Sequence, residues 1–99
     1  MTTPMVLFVC LRGSAKSLIA LEHFRRLAHQ RGMEVQADSA GLEPDAVIPS
    51  RAVQELLGQG IDVSGRRPRQ VMRTDLERAS CVVTFGCELG PLELPGLAR

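Results

Sequence analysis

A thiol, five small or flexible residues, a cation and a hydroxyl follow one another in Cys10-Leu-Arg-Gly-Ser-Ala-Lys16-Ser17. Ahead of them, Met5-Val-Leu-Phe-Val-Cys10 is continuously apolar and rich in β-branched residues, as in a strand covered on both faces. Behind them a helical pattern begins. A turn between strand and helix lines up successive backbone N–H groups in a concave nest, and the helix N-terminus adds partial positive charge. A tetrahedral oxyanion fits such a cradle. The same field, with Lys16 nearby, lowers the pKa of Cys10 and populates the nucleophilic thiolate. Ser17 is positioned to donate a hydrogen bond to that thiolate or to a leaving thiol. The candidate chemical groups are therefore Cys10, Lys16 and Ser17, with the backbone of Leu11, Arg12, Gly13, Ser14, Ala15 and Lys16 as the oxyanion cradle. An inert strand-end thiol beside a solvated helix cation has the same spacing, and spacing alone leaves both uses open. The nucleotide P-loop pattern is matched only at its end, Ala15-Lys16-Ser17, with Cys10 and Ala15 where it needs glycine.

The elements that must position these residues alternate along the chain. After the first strand, residues 16–31 read as a helix with Ala20, Phe24, Leu27 and Ala28 on one face and Gly32 as its stop. Residues 34–39 alternate polar and apolar, as a half-exposed edge strand does. Residues 41–49 are a loop with two prolines. Ser50 is expected to cap a helix over 51–57, with Val53, Leu56 and Leu57 on one face and Gly58 ending it. Residues 60–69 read as a surface connection, and Thr74-Asp-Leu-Glu77 fits a capping box opening a short helix. Cys81-Val-Val-Thr-Phe85 is a third apolar strand. This order predicts an α/β three-layer sandwich with a short parallel, Rossmann-like sheet and right-handed crossovers. Ligands of such sheets bind beyond the C-terminal ends of strands, near where strand order reverses, which again points at Cys10.

Composition narrows the function. Ninety-nine residues make one domain, 1–99, and 44% hydrophobic with 23% charged residues is globular rather than disordered. A net charge of +1 and only three Phe, with no Trp or Tyr, argue against nucleic acid as partner. The longest apolar run is too short to span a bilayer, and it lacks a signal peptide's flanks, so no membrane association is expected. Three cysteines, an odd number without framework spacing, suggest a reducing compartment. A cytoplasmic protein is the expectation. His23 and His29 have no partners at metal spacing, so neither a metal nor a cofactor is implied. Arg66-Arg67-Pro68-Arg69 reads as a solvated loop.

Four stretches resemble the low-molecular-weight protein tyrosine phosphatases and the arsenate reductases that share their fold. Val9-Cys10 through Lys16-Ser17 reproduces the family's Val-Cys, five residues, Arg-Ser. Asp38-Ser39-Ala40-Gly41 is similar to its Ser-Ala-Gly, Gly60-Ile-Asp-Val-Ser64 to its Gly-Ile-Asp-Ser, and Cys81-Val-Val-Thr-Phe-Gly-Cys87 to its Val-Val-Thr strand with a following Cys. The resemblance covers about residues 5 to 90. It implies phosphomonoester hydrolysis, on a protein phosphotyrosine or small aryl phosphate, through a cysteinyl-phosphate intermediate on Cys10. Ser39 is then expected to brace the anion loop. Phosphate or arsenate, and a phosphoprotein, are the implied ligands.

Three departures qualify what the resemblance implies. Lys16 stands where the family has an arginine, exchanging a planar fork for a point charge, in a chain whose other eleven basic residues are all Arg. Gly13 replaces a bracing asparagine and contributes no side-chain hydrogen bond. The family's general-acid Asp-Pro segment, with the strand and helix after it, has no counterpart, so a C-terminally truncated domain is expected. Glu88 and Glu93 are the substitutes considered for the acid, and a homo-oligomer would cover the open sheet edge. Cys87 resembles the second thiol of thioredoxin-coupled arsenate reductases, which makes arsenate reduction through Cys10 and Cys87, with thioredoxin or a small thiol as reductant, one alternative. Cys81 is read either as a redox relay or as a small buried hydrophobe. A catalytically weak oxyanion- or phosphopeptide-binding pseudophosphatase is the other alternative.

Overall fold

The computed structural model describes residues 3–87 and 89. Its elements are β1 (Met5–Cys10), α1 (Lys16–Gln30), β2 (Gln36–Gly41), α2 (Ser50–Leu57), α3 (Arg73–Arg78) and β3 (Cys81–Phe85). The three strands form one parallel sheet in the order β2-β1-β3. Strand order thus reverses at β1, and the most apolar strand takes the centre. Alternate β1 residues serve two cores. Leu7 and Val9 pack with Ala40, Val71, Leu76, Val82 and Leu89 on the α3 side. Phe8 packs with Leu18, Leu21, Ile48, Ala52, Leu56 and Val63 under α1 and α2. All three phenylalanines meet in this second core: Phe8 lies edge-on to Phe24 at 5.6 Å and stacks on Phe85 at 6.3 Å. The scarce aromatics are core material.

Strands β1 and β3 and the start of α1 fall where periodicity predicts them. The helix ends in a Schellman turn, with Met33 N–H donating to Ala28 O, Gly32 N–H donating to His29 O, and Gly32 at φ +64°. Four local expectations need correction. The buried stripe of α1 is Leu18, Leu21 and Ala28, while Leu27 is half exposed. That of α2 is Ala52 and Leu56, and Leu57 faces solvent. Leu18 and Leu21, like Ala52 and Leu56, belong to the core around Phe8. Ser50 is the first helical residue and caps nothing; Pro49 precedes it at φ −57°, ψ 140°. Strand β2 runs two residues later than its alternation suggests, because pairing with β1 carries it to Gly41 opposite Cys10.

The capping box of α3 is also displaced. Met72 is the cap residue, Thr74 lies inside the helix, and Asp75 rather than Glu77 accepts the Met72 N–H at 2.7 Å. The cause lies outside the helix. Arg69 extends one guanidinium nitrogen to Asp75 at 3.0 Å and the other to Asp38 on β2 at 2.8 Å. Arg66 pairs with Glu22 on α1. Two of the three arginines expected to be solvated therefore clamp their loop to the fold.

Burial alone would raise the Asp75 carboxyl, but the Arg69 hydrogen bond, the Met72 N–H and the charges of Arg69 and Arg78 hold it below its usual range. A depressed folded-state value means that this stabilisation is complete above the unfolded value of ~3.9 and disappears as pH falls through the folded one. Urea unfolding against pH should show stability declining below about pH 4. In Asp75→Asn that acid limb should flatten, with ~1 kcal/mol lost at neutral pH, since Arg69 is partly solvated.

Candidate active site

Cys10 ends the central strand, and by alternation with Phe8 its side chain faces α1. The chain then turns through residues 11–15 and enters α1 at Lys16. Cys10 is buried, and its Sγ lies 3.2 Å from Ser17 Oγ in the first turn of the helix. Gly13 N–H donates to the same sulfur at 3.0 Å. Burial pushes the thiol up. The Ser17 hydroxyl and the backbone N–H groups of Ser17, Gly13 and Ser14 outweigh it, so the Cys10 pKa lies below its ordinary value. No side chain caps α1 and no acidic residue stands in its first turn, which leaves the positive helix end uncompensated. Lys16 is exposed at the mouth and pairs with no carboxylate among the described residues.

The tightness of this turn depends on two glycines. Gly13 adopts φ +62°, and a Cβ placed on it would come within 2.6 Å of Gly41 N. A Cβ on Gly41 would equally meet Gly13 N at 2.6 Å. Gly41 is itself fixed, donating to Arg69 O and accepting from Val71 N–H, both at 2.9 Å. From there the β2 chain continues alongside the turn: Leu42, Glu43 and Asp45 donate their N–H groups to the carbonyls of Cys10, Leu11 and Arg12. The Ser14 hydroxyl donates to Asp45 Oδ2 at 3.0 Å.

These contacts change which residues matter around the loop. The hydroxyl of Ser39, the expected brace, makes no hydrogen bond to the loop among the described residues. Ser39 instead borders a cavity of about 230 Å³ shared with Gly13, Asp38 and Arg69. The hydrogen bonds to the loop come instead from Leu42, Glu43 and Asp45, and Asp45 was not legible as a site residue. The parallel pairing of Cys10 with Gly41 is the signal that could have found it, because it runs the two following loops side by side. A second cavity, of about 420 Å³, opens over the turn and is lined by Cys10, Ser14, Lys16, Asp45, Pro49 and Phe85 among others.

The other thiols are separate. Cys81 opens β3 opposite Val6, half buried. Cys87, just past β3, packs against the α3-side core and donates to Val9 O at 3.8 Å. Cys10 and Cys87 thus stand on opposite faces of the sheet, one residue apart along β1. Among the described residues no group of His, Cys, Asp or Glu could hold a metal ion, and no helix is long and apolar enough to cross a membrane. Glu88 and Glu93 lie outside the described residues.

Gly13→Ala should lower stability by about 1–2 kcal/mol through the left-handed backbone alone, and by more through the contact with Gly41. Thermal unfolding measures that loss. The same variant should alkylate at Cys10 more slowly near neutral pH, because the Gly13 N–H can no longer point at the sulfur.

Comparison with known proteins accords with this geometry. The family described as "Low molecular weight phosphotyrosine protein phosphatase" matches residues 5–89. The low molecular weight protein-tyrosine-phosphatase YfkJ of Bacillus subtilis is 36% identical over 88 residues, covering 84% of this chain and 56% of that protein. A crystal structure of a low molecular weight protein tyrosine phosphatase from T. tengcongensis has a TM-score of 0.75 at 30% identity, over 83% of this chain and 58% of its own. A thioredoxin-dependent arsenate reductase of Corynebacterium glutamicum reaches 0.79 at 28% identity, over 97% of this chain and 47% of its own. The chain spans a little over half the length of the curated relatives it matches. With the strand, the thiol-bearing turn and the glycine contact all within the matched residues, this chain belongs to the low molecular weight phosphotyrosine protein phosphatase family.

Proposed function

We propose that this domain transfers a phosphoryl group from a phosphomonoester to Cys10 and then to water. The observation that carries the reading is the Cys10 thiol, lowered in pKa and held by Gly13 N–H and Ser17 Oγ at the floor of an open cavity. The Cys10 thiolate attacks phosphorus in line with the ester oxygen. The P–O bond breaks, the alkoxide or phenoxide leaves and takes a proton from solvent water, and cysteinyl phosphate remains. Water attacks that phosphorus, the P–S bond breaks, and inorganic phosphate leaves with the thiolate restored. Backbone N–H groups of residues 11–16 and the Lys16 ammonium hold the equatorial oxygens, and Ser17 stabilises the thiolate as attacking and leaving group. An aryl phosphate, whose phenol leaves readily, asks least of a general acid.

A second reading, arsenate reduction, is favoured by Cys87. Its sulfur donates to the carbonyl of Val9, the residue before Cys10, and the arsenate reductase neighbour aligns with nearly all of this chain. In that reaction Cys10 displaces water from arsenate, and Cys87 then attacks the Cys10 sulfur. The As–S electron pair stays on arsenic, arsenite leaves, and a Cys10–Cys87 disulfide awaits a dithiol reductant such as thioredoxin. The chain after β3 must carry Cys87 around the sheet end for the sulfurs to meet.

The test is Cys10 alkylation against pH, followed by mass spectrometry, with and without phosphate or arsenate. A midpoint below the reference value of ~8.5, with protection by the oxyanion, is the expected result. Hydrolysis of an aryl phosphate should fall ~10³-fold or more in Cys10→Ser. A Cys10–Cys87 disulfide after arsenate treatment favours the reductase instead, and protection without turnover favours a binding protein.

A further inference from the structure

Ser14 is 2% exposed, and the oxygen its hydroxyl reaches is Asp45 Oδ2 at 3.0 Å. The other carboxylate oxygen stands 4.0 Å from Arg12 Nε, and the Asp45 N–H donates to Arg12 O at 3.2 Å. Asp45 therefore holds both neighbours of Gly13, the residue whose N–H points at Cys10. The same carboxylate lines the cavity over Cys10. Negative charge there opposes both the thiolate and an incoming oxyanion. Arg12 and Lys16 are the cations at that mouth, and Glu43, 3.9 Å from Arg12, is a further carboxylate. A charge that works against the site requires a reason to be there, and its hydrogen bonds supply one. With glycine at position 13, no side chain of the turn can secure the middle of the loop from within.

We propose that Asp45 is the positioning residue of the anion loop, holding through the Ser14 hydroxyl and Arg12 the turn whose N–H groups point at Cys10 Sγ. This rests on the reading of Cys10 as the nucleophile. Asp45 touches no reacting atom and acts through the loop. When its carboxylate is removed, the buried Ser14 hydroxyl loses its acceptor, and the turn keeps only the backbone bonds from Leu42, Glu43 and residue 45.

Two effects of opposite sign separate this role from that of a bystander. As a charge, Asp45 disfavours the thiolate; as a brace, it favours the thiolate. Asp45→Asn removes the charge but keeps an oxygen that accepts from Ser14. Asp45→Ala removes both. The experiment is the pH profile of Cys10 alkylation by iodoacetamide over about pH 5–10, in the full chain and in Asp45→Asn, Asp45→Ala and Ser14→Ala. Asp45→Asn should leave the midpoint at or below that of the native chain. Asp45→Ala should raise it by about one unit, roughly a tenfold loss of thiolate below both midpoints. Ser14→Ala should shift it the same way, and the double variant should add little. A fall of the midpoint in Asp45→Ala as in Asp45→Asn makes Asp45 a bystander charge and overturns the proposal. Should Asp45→Ala fail to fold, an unmoved midpoint in Ser14→Ala overturns it equally. An ordinary midpoint in the native chain instead removes the nucleophile reading, and the brace with it.

Discussion

The bare backbones of Gly13 and Gly41 lie closer together than any side chain on either would permit, and the site depends on that approach. It extends the pairing of β1 with β2 beyond the last strand residues, so that the turn after Cys10 is laid against the loop after Gly41. A turn supported along one side can be tight enough to point consecutive N–H groups inward. Those groups then meet a sulfur rather than water, and a thiol that burial alone would keep neutral is held below its ordinary pKa instead. Sheet register, loop shape and thiol chemistry form one causal line. Its weakest point is a position where only hydrogen fits.

Charge is divided between two kinds of cation. The arginines anchored in this structure use their forks as fasteners. Arg69 joins Asp38 to Asp75, Arg66 reaches Glu22, and Arg25 and Arg26 donate to the carbonyls of Ala37 and Gln59. Each ties a helix or loop to a neighbour through directional bonds, for which a planar donor suits better than an ammonium. The lysine is placed differently. It stands at the mouth of the turn after Cys10 and pairs with no carboxylate among the described residues, which leaves a mobile point charge free for a ligand. In the proposed chemistry this leaves orientation to the backbone N–H groups and gives Lys16 a mainly electrostatic share.

Local pattern was enough for much of this. The continuous apolar runs gave β1 and β3 their limits, and the turn–helix junction at Lys16 together with the Cys10–Ser17 contact followed from residue type and spacing. Other features were settled by residues far away. Ser50 and Thr74 have the right chemistry for caps, yet Pro49 takes the cap position of α2 and the Asp75–Arg69 bond sets the register of α3. Leu27 and Leu57 are exposed while Leu21 and Ala52 are buried, because the core around Phe8 selects which stripe of each helix is covered. The contact of Asp45 with Ser14 is equally non-local. Nothing in a proline-flanked loop marks a carboxylate until the strand before it is known to pair beside Cys10.

The all-parallel sheet has a kinetic consequence. Met5 pairs with Gln36 and Val6 with Cys81, so neither ladder can begin as a hairpin, and each waits for an entire crossover to be laid down. Helix α1 can form early from local contacts, but the turn after Cys10 takes shape only when β2 docks and brings Gly41 against Gly13. Such non-local pairing slows folding relative to helical domains of similar size. Until that docking occurs Cys10 is an ordinary thiol. In the proposed chemistry the lowered thiol pKa therefore marks β2 docking, and the rate at which it appears after dilution from denaturant is a clock for closure of the sheet.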